Sequence, residues 1–168
     1  MKQYASIKKL LKFKNENDIM KYSEKISNKL NELLEKNYDA EKGYLNSADN
    51  VDSSRLKKFF KERASERSQF AKELRTEILS YGQIPEDNGT FKATMHRNWM
   101  TLKSTFSSND EEAILEEAIR GEQESYDEYC EILKENEFAP TTQAILENHK
   151  QTIQSAINSL KYQEELVS

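Results

Sequence analysis

The sequence predicts an all-α protein that folds as a single bundle of four long helices. Apolar residues recur at three- and four-residue steps over long stretches, which is the period of an amphipathic helix. The 168 residues include only four Gly and two Pro, so turns are few and the elements between them are long. A chain of this length suits one domain with its own core.

Composition and charge narrow the class of protein. Hydrophobic residues make up 36% of the chain and charged residues 33%, which is typical of helices that bury one stripe and expose a wide polar face. The net charge of −5 gives no positive field for nucleic acid. The single Cys130 excludes an internal disulfide, and no apolar stretch is long enough for a transmembrane segment or a signal peptide. We therefore expect a cytoplasmic protein.

The first two helices are joined by a tight turn. The first is clearest from Ile26 to about Val51, and the residues Asp52-Ser53-Ser54 then break the pattern with side chains that cap helices. A second helix is predicted from Arg55 to about Tyr81. The apolar stripes of these two helices are formed by Ile26, Leu30, Leu33, Leu34, Tyr44 and Ala48, and by Leu56, Phe59, Phe60, Phe70, Leu74 and Ile78. Gly82 suits a left-handed C-terminal cap, and Pro85 follows as a stop.

The second half of the chain begins with a long connection. Residues 83–109 contain a short helical pattern of their own, formed by Phe91, Met95, Trp99, Leu102 and Phe106. Asp110, Glu111 and Glu112 then supply the negative first turn of a third helix, which runs to about Asn136. Its inward residues are Leu115, Ala118, Ile119, Tyr126, Tyr129 and Leu133. Pro140 opens a fourth helix, whose stripe is Leu146, Ile153, Ala156 and Leu160.

The lengths of the connections predict the topology. Short loops make neighbouring helices antiparallel, and this chain has two short loops on either side of one long one. A single long crossover, here between the second and third helices, is the ferritin-like variant of the four-helix bundle. The sequence therefore predicts a ferritin-like antiparallel bundle whose crossover carries a short extra helix.

The first 21 residues differ from the rest, so we divide the chain into a basic N-terminal extension, 1–21, and a bundle domain, 22–168. In the extension, the apolar residues Ile7, Leu10, Leu11 and Phe13 lie among lysines. One interpretation is a basic amphipathic helix that contacts a membrane surface or a partner. The other is a frayed extension, which the ordinary behaviour of chain termini favours.

Three glutamates occupy positions where the helical pattern calls for apolar residues: Glu41, Glu66 and Glu122. A buried carboxylate is costly unless it is paired, protonated or bound to a cation. Glu41 and Glu66 lie equally far from the first tight turn, so antiparallel helices place them side by side. By the same count from the last turn, Gln154 lies level with Glu122.

This arrangement suggests a metal site. Di-iron bundles carry a Glu on each of two helices and Glu-x-x-His on each of the other two, because residues i and i+3 share a helix face. Here Gln69 and Ile157 stand where the two histidines are expected. The candidate ligands are Glu41, Glu66, Gln69, Glu122 and Gln154. This oxygen-rich set would suit a harder cation or a weak site better than redox-active iron. The candidate cofactor is a divalent cation, iron or manganese.

A buried charge network without metal is the competing interpretation, and we favour it. Arg63 and Arg67 lie on the same helix as Glu66, and buried ion pairs exist without catalytic purpose.

Two other residue types in the helices are ambiguous. Gly43 and Gly121 interrupt helices close to the glutamates, which close helix packing explains better than room for a ligand. His149 lies on the inner stripe of the fourth helix, where a hydrogen-bonded core histidine is commoner than a replacement for a missing imidazole ligand. His96, in the long connection, is expected to be structural.

Several segments together resemble a known family. They are Leu30-Asn31-Glu32-Leu33-Leu34, Asp39-Ala40-Glu41-Lys42-Gly43-Tyr44, Glu66-Arg67-Ser68-Gln69-Phe70, His96-Arg97-Asn98-Trp99 and Ile114-Leu115-Glu116-Glu117-Ala118-Ile119-Arg120-Gly121-Glu122. Over residues 22–165 the chain resembles a bacterial family of four-helix-bundle domains of unknown function in the ferritin-like superfamily, sometimes labelled rubrerythrin-like. The resemblance implies the fold. Members often carry a histidine in the fourth helix where this chain has Ile157.

Three functional hypotheses follow, and none of them assigns a catalytic residue. The first is a ferritin-like bundle with a weak or degenerate carboxylate metal site, linked to stress or metal handling. The second is an interaction module that dimerises through the apolar residues of the long connection, with Trp99 as an anchor. The third is a rubrerythrin-type oxidase or peroxidase, which would require the two missing histidines and more cysteines than Cys130 alone.

Overall fold

The structure, a computed structural model, describes residues 2–86 and 110–168, with side chains from residue 15 onward. Four helices occur in these ranges: α1 (Lys2–Asn50), α2 (Ser54–Ser80), α3 (Glu111–Glu135) and α4 (Pro140–Val167). No strand occurs among the described residues, so the predicted all-α bundle of four helices is confirmed. The described helices include none that is long and apolar enough to cross a membrane.

The predicted helix ends are confirmed by their local chemistry. The Ser53 hydroxyl accepts a hydrogen bond from the Leu56 N–H and caps α2. Asp110 caps α3 in the same way, by accepting from the N–H groups of Glu112 and Ala113. Gly82 follows α2 with a φ of +73°, a left-handed conformation that favours glycine. Pro140 is the first residue of α4.

The first helix is longer than its apolar stripe indicates. The stripe predicts a start near Ile26, whereas α1 continues without a break to Lys2. Residues 15–20 are all exposed, so this part of the helix carries no buried stripe from which it could be recognised. Lysine and leucine favour helix even without burial, and no Gly or Pro interrupts residues 2–42. The boundary that we placed after residue 21 falls inside this one helix.

The short helix predicted in the long connection lies outside the part of the chain that the structure describes. Its apolar residues and His96 lie in residues 87–109, outside the described part of the chain. The same holds for the predicted dimer contact at Trp99.

Contacts at the two ends of the bundle define the directions of the helices. Glu111 Oε1 accepts from the backbone N–H groups of Asp52 (3.0 Å) and Ser53 (2.8 Å), so α3 begins beside the α1–α2 turn. Tyr81 Oη accepts from the Ala139 N–H (3.2 Å), so α2 ends beside the α3–α4 turn. The helices α1 and α4 therefore run one way, and α2 and α3 the other. The two hairpins pack with α1 against α3 and α2 against α4.

The apolar core forms two clusters. One lies toward the α3–α4 turn and contains Ile26, Leu30, Leu33, Leu34, Phe70, Ala71, Leu74, Ile78, Tyr129, Ile132, Phe138, Leu146, Ile153 and Ile157. The other lies toward the α1–α2 turn and contains Tyr44, Ala48, Val51, Leu56, Phe60, Ala64, Ile114, Leu115 and Leu160. Between the clusters, buried polar residues from three helices face one another: Asn37, Arg67 and Glu122. The bundle therefore has a polar layer across its middle.

The expectation that Gly43 and Gly121 mark close helix packing is wrong. A Cβ atom built on either glycine would meet no atom within 4 Å, and Gly121 is exposed. The lack of a side chain at these two positions does not bring another helix closer. Each glycine therefore only lowers the stability of its helix.

Gly43 and Gly121 are helical and have open space beside them, whereas Gly82 has a positive φ. Substitution by alanine should therefore have opposite effects at the two kinds of site. Gly43→Ala and Gly121→Ala should each raise the free energy of unfolding by about 1 kcal/mol, because alanine favours helix and finds open space. Gly82→Ala should lower it by about 1 kcal/mol, because alanine is strained at positive φ. Urea denaturation checks all three. A loss of stability in Gly43→Ala or Gly121→Ala would mean that a neighbour needs the space.

Candidate functional site

A buried ion pair between Arg67 of α2 and Glu122 of α3 lies at the centre of the polar layer. Arg67 Nη2 donates to Glu122 Oε2 at 2.6 Å, and Arg67 Nε donates to Oε1 at 3.3 Å. Their side chains are 4% and 3% exposed, so both charges have left water almost completely. The two parallel bonds form the fork geometry in which arginine binds a carboxylate most strongly.

Three neighbours satisfy the remaining polar atoms of the pair. Arg67 Nη1 donates to Asn37 Oδ1 at 2.8 Å and to Ser125 Oγ at 3.1 Å. The Tyr44 hydroxyl donates to Glu122 Oε1 at 2.5 Å. A buried ion pair overcomes its desolvation cost only when such additional hydrogen bonds complete it. Residues of α1, α2 and α3 are thereby fixed around one pair of charges.

The electrostatics keep Arg67 charged and Tyr44 neutral. Burial raises the pKa of Tyr44 well above its usual range, and the negative charge of Glu122 raises it further, so the hydroxyl keeps its proton. Burial alone would lower the pKa of Arg67, but the charge and hydrogen bonds of Glu122 raise it. The centre therefore holds a permanent cation and a neutral phenol beside Glu122.

A chain of hydrogen bonds leads from this centre to the fourth helix. Asn37 Nδ2 donates to the Tyr129 hydroxyl oxygen at 2.9 Å. That hydroxyl lies 3.1 Å from Nδ1 of His149, and Nε2 of His149 lies 2.6 Å from Glu73 Oε2. His149 is 0% exposed and stacks on Phe70, with ring centroids 3.9 Å apart.

The direction of each bond follows from its neighbours. Because the Tyr129 oxygen accepts from Asn37, its O–H is available to donate, and Nδ1 of His149 is the acceptor in reach. His149 then carries its proton on Nε2 and donates to the Glu73 carboxylate. An unbroken, oriented chain runs from the guanidinium of Arg67 to the carboxylate of Glu73. It crosses all four helices.

This chain requires a neutral histidine. Burial lowers the pKa of His149 and Arg67 lowers it too, although Glu73 opposes them. Burial would raise the pKa of Glu73, but the hydrogen bonds from His149 and Gln69 lower it. Protonating Nδ1 of His149 would remove the lone pair that accepts a hydrogen bond from the Tyr129 hydroxyl. The chain of hydrogen bonds would then be broken. The interpretation of His149 as a hydrogen-bonded core residue is confirmed.

Of the proposed metal ligands on α1 and α2, Glu66 lines the same narrow gap as Glu122, whereas Glu41 and Gln69 do not line it. Glu66 is half-buried and pairs with Arg63 of its own helix at 2.9 Å; burial raises its pKa while Arg63 opposes the rise. Gln69 is exposed, and its Nε2 donates to Glu73 at 3.0 Å. Glu41 is half-buried. None of these contacts joins Glu122.

The proposed ligand on α4 also has another neighbour. Gln154 is half-buried, and its Nε2 lies 3.5 Å from Asn158 Oδ1 on the same helix. Both ring nitrogens of His149 are occupied by Tyr129 and Glu73, so this imidazole has no free lone pair for a metal.

The donor set does not fit a metal centre in this arrangement. Among the described residues, no three or more His, Cys, Asp or Glu side chains lie where they could hold one metal ion together. Both oxygens of Glu122 already accept from Arg67, and one also accepts from Tyr44. The gap beside these residues, which Glu66 and Ile153 also line, is too narrow for a water molecule.

Sequence reasoning identified Glu122 but not its partner. Arg67 is next to Glu66 in the sequence, but it also lies three residues from both Ala64 and Phe70, on the apolar stripe of α2. Asn37 gave a similar signal, because it continues the stripe of α1. An arginine and an asparagine in line with buried residues on two helices indicate a hydrogen-bonded layer more directly than the glutamates alone.

The ion pair makes a prediction about stability. Arg67→Met leaves Glu122 buried without a cation and should lower the free energy of unfolding by about 3–5 kcal/mol in urea denaturation. Adding Glu122→Gln should recover part of this loss, because a neutral amide costs less to bury. The matched control is Arg63→Met, whose partner Glu66 is 34% exposed. It should cost at most about 1 kcal/mol, and equal losses in the two variants would contradict the central role of Arg67.

The neutral histidine makes a prediction about pH. The pKa of His149 is lower in the folded protein than its ordinary value of about 6.5, so the unfolded chain binds the proton more tightly. Stability should therefore be complete above about pH 6.5 and fall as the pH drops through the folded pKa. Urea denaturation across this range measures the slope, and ¹⁵N NMR of the imidazole should show the proton on Nε2.

The control for this pH dependence is His149→Gln. This variant should be less stable at neutral pH but should lose less stability between about pH 7 and 6, because its side chain does not titrate. An unchanged slope would assign the pH dependence to other groups.

The family comparison covers most of this network. One family model, described as a domain of unknown function (DUF2383), matches residues 25–135. The match runs from α1 to the end of α3, so it includes Asn37, Arg67 and Glu122, whereas His149 lies beyond it. No curated protein matches the chain. Because the match spans well over half of the sequence, the chain belongs to the DUF2383 family, a domain family of unknown function.

Proposed function

We propose that this protein is a ferritin-like bundle with a degenerate carboxylate site, in which its own arginine takes the place of a metal ion. Its function is then to bind partners through its surface, as a non-enzymatic interaction module. The observation that carries the proposal is the bidentate, almost fully buried pair between Arg67 and Glu122 at the centre of the bundle.

The helix directions support the ferritin-like part of the proposal. α2 ends beside the α3–α4 turn, and α3 begins beside the α1–α2 turn, at the opposite end of the bundle. One long connection between the second and third helices, with short turns on either side, is the arrangement expected of that fold.

The chemistry of arginine supports the absence of enzymatic function. A guanidinium remains charged at all ordinary pH values and binds a carboxylate through fixed N–H donors. The guanidinium stabilises Glu122 as a metal ion would, but it has no open coordination position and no redox chemistry. Asn37 and Ser125 accept from Nη1 of Arg67, and Tyr44 donates to Glu122, so both charged groups are held by further hydrogen bonds.

A rubrerythrin-type oxidase is the weaker alternative. Such chemistry needs imidazole and carboxylate ligands around open metal positions. The nearest imidazole, His149, uses both of its ring nitrogens in the hydrogen-bond chain.

The test is the response of the purified protein to metal. Protein prepared without chelator or a histidine tag should contain no stoichiometric iron or manganese by elemental analysis. Its melting temperature should stay the same with EDTA and with anaerobic Fe(II) or Mn(II), because Arg67 already neutralises Glu122. Glu41→Gln, which changes a proposed ligand outside the ion pair, should behave like the wild type in each condition.

A near-stoichiometric metal that stabilises the protein and is lost in Glu41→Gln would contradict the proposal. It would restore the carboxylate site formed by Glu41, Glu66, Gln69, Glu122 and Gln154. Catalysis would then become the question to address next.

A further inference from the structure

The first part of α1 projects beyond the rest of the bundle. The Tyr22 hydroxyl donates to the Glu137 carbonyl oxygen at 2.7 Å, which places Tyr22 level with the α3–α4 turn. Residues 15–20, which precede it, are all exposed, and Ile26 is the first buried apolar residue of the helix. Residues 2–20, which are most of the N-terminal extension, therefore reach about 28 Å past that turn.

The first part of the extension is strongly basic, and Glu16 and Asp18 follow it. Residues 2–14 contain five lysines and no acidic residue. The exposed residues 15–20 gain no stabilisation from burial, so a surface that covers this part of α1 would favour its helical form. The charge of the extension indicates that this surface is acidic.

An acidic surface of matching length exists on α3. This helix contains ten acidic and two basic residues, and of the acidic ones Glu122 is buried and paired with Arg67. Six of its acidic side chains are exposed: Glu112, Glu116, Glu124, Asp127, Glu131 and Glu135. The exposed Arg120 lies among them and pairs with one of them, Glu124. α3 is about 37 Å long, enough to accommodate the whole extension.

The end of the bundle from which the extension leaves is also apolar. Ile19 and Met20 are 61% and 65% exposed, one turn before Tyr22. Leu79 and Ile84, at the end of α2, are 59% and 87% exposed. The rings of Tyr22 and Tyr81 touch edge to face, 6.2 Å apart, so these residues of α1 and α2 belong to the same end. Exposed apolar side chains gathered at one place mark a contact surface.

We propose that two copies of this chain associate through this end, with the extension of each copy lying along α3 of the other. Within one copy, the extension leaves α3 behind at the level of Glu137 and cannot cover it. A second copy, related by a two-fold axis, brings extension and α3 together twice and buries the apolar end between them. This inference rests on the proposed interaction function and names its partner.

An anionic lipid surface is the competing partner for a basic helix. The distribution of charge favours the second copy. The exposed acidic side chains of α3 would be repelled by anionic headgroups, whereas they attract the extension of another copy.

The first arm of the test is the mass of the full-length wild-type chain, measured by light scattering after size-exclusion chromatography. The expected result is twice the chain mass of 19.6 kDa. A monomer across the accessible concentration range would overturn the proposal, and binding of that monomer to phosphatidylglycerol vesicles would assign the extension to lipid instead.

The second arm reverses charges on each side of the contact. Lys8→Glu/Lys12→Glu and Asp127→Lys/Glu131→Lys should each raise the dissociation constant of the dimer roughly tenfold or more. Lys57→Glu/Lys61→Glu is the matched control, because these exposed lysines on α2 have the same spacing and lie outside the proposed contact. Circular dichroism verifies that each variant keeps its helices.

Mixing the two contact variants gives the decisive result. Each extension then meets an α3 of opposite charge, so a mixed dimer should form with near wild-type affinity. Failure of the mixture to associate, or equal weakening by the control, would overturn the proposed contact. These outcomes are distinct from failure of the metal-free function, because a stable monomer that ignores metal would refute the dimer alone.

Discussion

The burial of one ion pair constrains the rest of this bundle. Arg67 and Glu122 are 4% and 3% exposed, and charges removed from water so completely are tolerated only with close to full hydrogen bonding. That requirement fixes the rotation of α2 and α3 about their axes and brings Asn37 and Tyr44 of α1 to the same level. Apolar side chains alone would permit several rotations of similar energy. We infer that the pair selects one of them, as polar core residues do in some helical assemblies.

The hydrogen-bond chain extends this constraint to the fourth helix. Tyr129 and His149 connect Asn37 to Glu73 through hydrogen bonds of fixed direction. Reversing one of these bonds would therefore change which atoms donate and accept in the others. Such networks stabilise only when every member is satisfied, because a partly satisfied one costs more than an apolar core. The polar layer therefore separates the two apolar clusters without weakening either of them, as long as His149 stays neutral.

Features that depend on local sequence could be predicted, and features that depend on contacts between helices could not. Ser53 and Gly82 were identified from helix-end chemistry, and the burial of Glu122 followed from periodicity. The partner of Glu122 did not, because periodicity gives the face of a helix but not which neighbour that face meets. Glu41 fits the same pattern yet is only half-buried, since the pattern does not give the depth to which neighbouring helices cover a position.

The distribution of charge separates the interior of this protein from its surface. In the core, the opposite charges of Arg67 and Glu122 are matched within hydrogen-bond distance, so their field is nearly cancelled. Outside, the five lysines of residues 2–14 and the exposed acidic side chains of α3 lie on different helices of one chain. Separated surface charges of opposite sign attract other molecules at longer range than apolar contacts do. A bundle whose interior charges are paired and whose surface charges are separated is suited to binding. A second copy of the chain is the proposed partner, because each copy carries both the basic extension and the acidic surface of α3.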